Sequence, residues 1–214
     1  MKRIIVICEG ATEQEFCKKI LYPYFIANQI DVSYRQIEGI KKWEIIKKII
    51  ENILKSDSSV CLTTLIDFYG IKKEHDFPFW NEAVSIIDKN RKIDFLEIKM
   101  KEDIDNQLNY RFIPYIQLHE FEGLLFNNID VFYSQISQKE LVGKDELENV
   151  FQNFTNPEMI NDSSENAPSK RLLRIIKNYN KIVYGNILAE NIGLQNIRNK
   201  CPRFNNWIET LEKL

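Results

Sequence analysis

Two short, unbroken apolar runs, each stopping on an acid, constrain the fold more than any other feature of this chain. Residues 4–8 read Ile-Ile-Val-Ile-Cys and lead into Glu9-Gly10, while residues 60–66 lead into Asp67-Phe68-Tyr69-Gly70. Runs of this length, rich in β-branched residues and lacking polar alternation, suit strands covered on both faces, as in a parallel sheet. A third candidate strand, residues 112–118, ends at His119-Glu120-Phe121-Glu122-Gly123, and residues 31–37 are also strand-like. Between these runs, residues 43–54 repeat Ile45, Ile46, Ile49, Ile50, Ile53 and Leu54 at helical spacing. Thr12 as N-cap with Glu15 at the third helical position reads as a capping box. Residues 77–87, with Pro78 near their start, read as a further helix, and residues 94–105 alternate partly, as another strand would. The order predicts an α/β fold with a mostly parallel sheet and flanking helices.

From about residue 127 the character changes. Asn, Ser, Gln and Lys become frequent, and helical periodicity appears at residues 139–151, 170–179, 184–191 and 203–214. We read an α/β core over residues 1–126 and a mainly helical region over 127–214 packed on it, with residues 161–166 as the most mobile loop. The 214 residues suffice for one sizeable core with such an appendage. A net charge of -2 supplies no global basic field, so a nucleic-acid partner would have to meet local patches. Cys8, Cys17, Cys61 and Cys201 are scattered with no CxxC pair, which predicts reduced thiols in a cytoplasmic protein. The N-terminal apolar run is too short for a secretory signal, and no segment has the length of a membrane span.

In open α/β sheets, ligands bind beyond the carboxyl ends of the strands. Glu9, Asp67, Glu120 and Glu122 stand at such ends, and Glu13 follows Glu9 by one helical turn. Convergent carboxylate oxygens are the ligands Mg²⁺ or Mn²⁺ prefers, and without a cation they would raise one another's pKa. Taken singly, each acid could instead cap a helix, and Glu13 could simply favour a helix dipole. His119, between a buried strand and two glutamates, is a candidate general acid or base, the alternative being a core histidine bonded to a carboxylate. Ala167-Pro168-Ser169-Lys170-Arg171 places a helix start beside two cations, where free N–H groups, Lys170 and Arg171 would suit a phosphate. Lys181, Arg198, Lys200 and Arg203 could extend that patch, whereas Phe204 and Trp207 fit a core better than a stacking platform.

Val6-Ile7-Cys8-Glu9-Gly10-Ala11-Thr12-Glu13 resembles the opening VEGxTE motif of TOPRIM-like nucleases, and Leu65-Ile66-Asp67-Phe68-Tyr69-Gly70 resembles their second acidic motif. With His119-Glu120-Phe121-Glu122-Gly123-Leu124-Leu125-Phe126, Ala167-Pro168-Ser169-Lys170-Arg171 and Cys201-Pro202-Arg203-Phe204-Asn205-Asn206-Trp207, the set is similar to an uncharacterised bacterial TOPRIM-like family. The resemblance implies a metal-dependent nuclease acting on DNA or RNA. Glu9, Glu13, Asp67 and Glu120 would hold Mg²⁺ or Mn²⁺, Glu9, Glu122 and His119 would act in the chemistry, and a homo-oligomer is compatible with it. It also implies an ABC/SMC-like ATPase partner and a role in phage defence. The chain departs from the pattern at Tyr69, where the family's second Asp would stand, and Glu120 or Glu122 would have to compensate. A non-catalytic adaptor subunit of an ATPase is the alternative. A conventional nucleotide-binding fold is disfavoured, because neither GxxxxGK[ST] nor GxGxxG occurs.

Overall fold

The computed structural model describes residues 2–161 and 163–214. Five strands form a parallel sheet: β1 (Lys2–Cys8), β2 (Ile30–Gln36), β3 (Val60–Asp67), β4 (Phe112–Ile113) and β5 (Ile116–Gln117). The spatial order is β2-β1-β3-β4, and β5 pairs with β3 beyond the end of β4. The expected strand at 112–118 is thus two short pieces interrupted at Pro114, which has no N–H to donate to the ladder. The Thr64 hydroxyl bridges the gap, accepting from Tyr115 N and donating to Tyr115 O, both at 2.9 Å.

Alternation along β1 divides the interior in two. Ile4, Val6 and Cys8 face one core and Ile7 the other. On the Ile7 side pack α3 (Trp43–Ser56), α4 (Trp80–Ser85) and α5 (Lys89–Asp103). On the opposite side lie α1 (Ala11–Phe16) and α2 (Tyr22–Ala27), joined by a π-helical turn, Cys17–Leu21. The same side receives α6 (Ile129–Gln135), α7 (Lys144–Asn153), α8 (Pro168–Ile175), α9 (Lys181–Ile192), α10 (Leu194–Lys200) and α11 (Pro202–Glu212). Phe204, Trp207, Leu188 and Leu172 share one cluster with Ile4 and Val6, so the C-terminal helices cover the sheet directly. Trp207 donates its indole N–H to Thr63 at 2.8 Å and stacks on Tyr115, centroids 4.5 Å apart.

Two local readings are corrected. Residues 94–105 are not a strand: they lie largely within α5, whose buried Ile93, Leu96 and Met100 recur at helical spacing. The first helix is capped at Gly10, not Thr12. The Glu13 carboxylate accepts from Gly10 N at 2.9 Å, leaving Thr12 buried inside α1. Asp162, in the expected mobile loop, lies outside the described residues, and Ser164–Asn166 forms a single 3₁₀ turn. Cys8, Cys17 and Cys201 are buried free thiols and Cys61 is half-buried. Among the described residues, no helix is long and apolar enough to cross a membrane.

Candidate active site

Because the strands run parallel, their carboxyl ends share one edge, and the acids following them are delivered to one place. Glu9 follows β1, and its carboxylate accepts from the Asp67 N–H at 3.0 Å, tying the first strand end to the second. Asp67, buried at the end of β3, accepts from Phe121 N at 2.8 Å, which ties the second to the third. Glu13 reaches the same edge from α1 while capping its own helix. Glu122, wholly buried in the 3₁₀ turn Phe121–Leu125, completes the group. His119, just upstream, holds a left-handed backbone (φ 69°), a conformation costly for a non-glycine residue and found where a turn must re-aim side chains.

The group's counter-charge comes from the other end of the chain. Lys181, the first residue of α9, places Nζ 3.1 Å from Glu122 Oε1 and 3.7 Å from Glu13 Oε1. Burial alone would lower the Lys181 pKa, but Glu122, Asp67 and Glu13 outweigh it and hold the ammonium above its ordinary value. Burial raises the pKa of Glu9, which the Asp67 N–H partly offsets while Glu13 adds to it. Asp67 is pushed well up by burial and then by Glu13, and Glu122 is raised by burial against the pull of Lys181. Glu122 Oε2 and the buried Tyr179 hydroxyl have no hydrogen-bond partner among the described residues. A half-exposed lysine therefore opposes several buried or half-buried carboxyl groups, so acids outnumber the cation and some of their oxygens have no partner among the described residues.

The remaining expected residues divide. Glu120 turns away: its oxygens accept from Ser169 N at 2.8 Å and Ser169 Oγ at 3.0 Å. That carboxylate occupies the α8 N-terminus where the sequence suggested phosphate. Arg171 is buried, donating to Asn166 O and lying 3.6 Å from Glu146, while Lys170 is exposed. Arg198 binds Glu212, Lys200 donates to Asn127 O, and Arg203 pairs with Asp94 and Glu97, so the expected extension of the basic patch is not formed. His119 is buried, with Nε2 3.4 Å from Lys89 Nζ, and burial and then Lys89 lower its pKa to about 4. The imidazole is therefore neutral at neutral pH. Tyr69, where the motif resemblance would have a second acid, packs its ring 5.3 Å from that of His119.

The donor chemistry suits a hard divalent cation, since the unpartnered atoms at this edge include carboxylate oxygens of Glu13 and Glu122. Among the described residues, however, no three Asp, Glu, His or Cys side chains are arranged to hold an ion as they stand. Lys181 supplies positive charge to the cluster instead. Cation binding would require the ammonium of Lys181 and the carboxylates of Glu13 and Glu122 to separate.

A parallel α/β sheet with an acidic carboxyl edge defines the class of the protein. The family described as "Domain of unknown function (DUF4276)" matches residues 8–212, and the chain belongs to it. No curated protein matches significantly. Among solved structures, the chain is similar to the C-terminal region of the Xanthomonas campestris pv. campestris OLD protein. The platinum-phased structure gives a TM-score of 0.43 at 14% identity, covering 99% of this chain and 96% of that one. The iodine-phased structure gives 0.39 at 12%, covering 99% and 98%. Likenesses this weak carry no argument about the site.

Proposed function

We propose that the protein is a divalent-metal-dependent phosphodiesterase acting on nucleic acid, with Glu9, Glu13, Asp67 and Glu122 as its acidic centre. The observation that supports this reading is the gathering of these carboxylates, from three strand ends and one helix, with unpartnered oxygens around a single lysine. Glu122 takes the place that the sequence suggested for Glu120, whose carboxylate is occupied at Ser169. When bound, Mg²⁺ or Mn²⁺ would polarise a phosphate and lower the pKa of a bound water.

The chain's own residues have separable tasks. Glu9, with its raised pKa and one oxygen held by the Asp67 N–H, is the carboxylate suited to accept a proton from water. Lys181, kept protonated by its neighbours, offers positive charge to the phosphate. Neutral His119 and Lys89 flank the edge, Lys89 being positioned by its bond to Asn161 O at 2.8 Å. The partner reading, an ABC/SMC-like ATPase in a defence role, rests on the motif resemblance alone.

The adaptor alternative has two observations in its favour: Lys181 already compensates part of the cluster, and no ligand triad is formed among the described residues. The test is cleavage of plasmid, single-stranded DNA and total RNA with Mg²⁺ or Mn²⁺ by the wild type, Glu9→Gln and Asp67→Asn, beside thermal midpoints under Mn²⁺ titration. Cleavage and a cation-dependent midpoint rise, both lost in the variants, support the hydrolytic reading. Neither effect in the wild type leaves the adaptor.

A further inference from the structure

We propose that a row of aromatic rings leading away from the acidic edge is a stacking track for single-stranded nucleic acid, with Phe79 as its outer platform. The proposal deepens the nucleic-acid reading and rests on it. The row begins at the strand end, where Phe68 directly follows Asp67. The Phe68 ring lies 6.0 Å from that of Trp80. Trp80 and Phe79 line one surface hollow of about 360 Å³, and Phe79 meets Phe95 edge-on at 6.5 Å.

Three independent observations distinguish this row from ordinary core packing. Phe68, Trp80 and Phe95 pack against the core beneath and are therefore rigid, but Phe79 belongs to neither core cluster and is 55% exposed. Its backbone is left-handed (φ 54°), an uncommon and strained conformation for a bulky side chain, so an exposed ring is displayed at a local cost. Cations accompany the rings: Lys92 stands 5.9 Å over Phe68, and Lys99 stands 5.0 Å over Phe79 and 5.6 Å over Phe95. Lys92, Phe95 and Lys99 recur at i, i+3 and i+7, so one face of α5 alternates charge and ring.

Bases offer flat faces to such rings and phosphates offer charge to such lysines, a combination that tolerates any sequence. A duplex keeps its bases stacked on one another and cannot use the platform. Lys73 lines the hollow beside Asp76 and Glu82, and Lys99 also pairs with Glu102 at 2.6 Å, so charge of both signs borders the rings.

Trp80 makes the track measurable, because Trp43 and Trp207 are each only 4% exposed. The experiment is titration of the full chain, in EDTA so that no metal-dependent chemistry occurs, with a short single-stranded oligonucleotide and its duplex. The readouts are fluorescence anisotropy and tryptophan quenching. Single strands are expected to bind with quenching that is absent in Trp80→Phe, about tenfold more tightly than duplex. Phe79→Asn should weaken binding about tenfold while its urea midpoint stays level or rises, because Asn tolerates the left-handed backbone. Lys92→Ala combined with Lys99→Ala should flatten the salt dependence. Unchanged affinity in Phe79→Asn, absent quenching, or equal affinity for duplex overturns the proposal and leaves this face to a protein partner. Failure of the hydrolytic reading looks different: binding and quenching persist, but no metal gives cleavage.

Discussion

Lys181 Nζ lies 3.1 Å from Glu122 Oε1, so the first residue of a C-terminal helix compensates a wholly buried carboxylate beyond β5. The pair joins the two regions of the chain at the candidate site. Removing one partner of a buried pair leaves the other uncompensated, although the 45% exposure of the Lys181 side chain reduces the cost. Lys181→Met is therefore expected to destabilise by about 1–2 kcal/mol. Adding Glu122→Gln should recover most of that loss, a coupling that urea denaturation of all four species measures. Millimolar Mn²⁺ should raise the midpoint of Lys181→Met more than that of the wild type, since the carboxylates then lack their ammonium. Identical midpoints with and without Mn²⁺ in both proteins would sink the cation site.

Gly70 closes the acidic edge from the other side. A Cβ there would stand 2.8 Å from Ile40 Cγ1 and 2.9 Å from Glu9 Oε1, so even a methyl group must displace Glu9. Gly70→Ala is expected to cost about 1–2 kcal/mol by overpacking. It should also abolish the Mn²⁺-induced shift and any cleavage, because the displaced carboxylate is the one anchored to Asp67 N. A variant that keeps both would show that Glu9 has no exacting position to hold.

The parts of this arrangement that could be read from sequence are those with a local cause. Glu9 and Asp67 announce themselves because each ends an apolar run that can only be a covered strand. Lys181 carries no such signal: one lysine in a polar stretch acquires its role only when α9 packs against α1. The choice between Glu120 and Glu122 was likewise open, since both follow the same strand, and Ser169, far along the chain, decides it by taking Glu120. Residues 94–105 misled because exposed Ile98 and half-buried Phe95 interleave with Leu96 and Met100, imitating alternation where the buried set is helical. The cap at Gly10 was hidden by a competing Thr12–Glu15 pair two residues further along.

Glu97 predicts a pH dependence remote from the acidic edge. Its carboxyl accepts from Ile116 N at 2.8 Å and from Arg203, and burial raises its pKa from 4.5 to about 7 against the pull of Arg203. The native state thus binds the proton more tightly than the unfolded chain. The associated stability is present below pH 4.5 and is lost as pH rises through 7, amounting to at most roughly 3 kcal/mol. Glu97→Gln keeps an acceptor for Ile116 N and removes the titration. Relative to the wild type, it should gain stability steadily between pH 5 and 8. A parallel pH profile for the two proteins in urea denaturation would show that Glu97 titrates normally.

Arg111 shows how a buried cation can hold the sheet without serving the site. It is 7% exposed, and its guanidinium donates to the carbonyls of Leu54 at 2.6 Å, Asp57 at 2.8 Å and Val60 at 3.0 Å. These carbonyls lie at the end of α3, in the following turn and at the start of β3, so one side chain fixes the angle at which the chain leaves the helix and enters the central strand. A positive group is favoured there by the helix dipole, and the orphaned carbonyls of a helix end need donors. Arg111→Met leaves these acceptors unsatisfied and should cost about 2–4 kcal/mol. Lys cannot reproduce the planar fork, so Arg111→Lys should recover less than half of the loss. Amide exchange at the end of α3 and the start of β3 should accelerate in both variants, with α11 unchanged. Uniform acceleration across the chain would instead mean that this junction opens only with global unfolding.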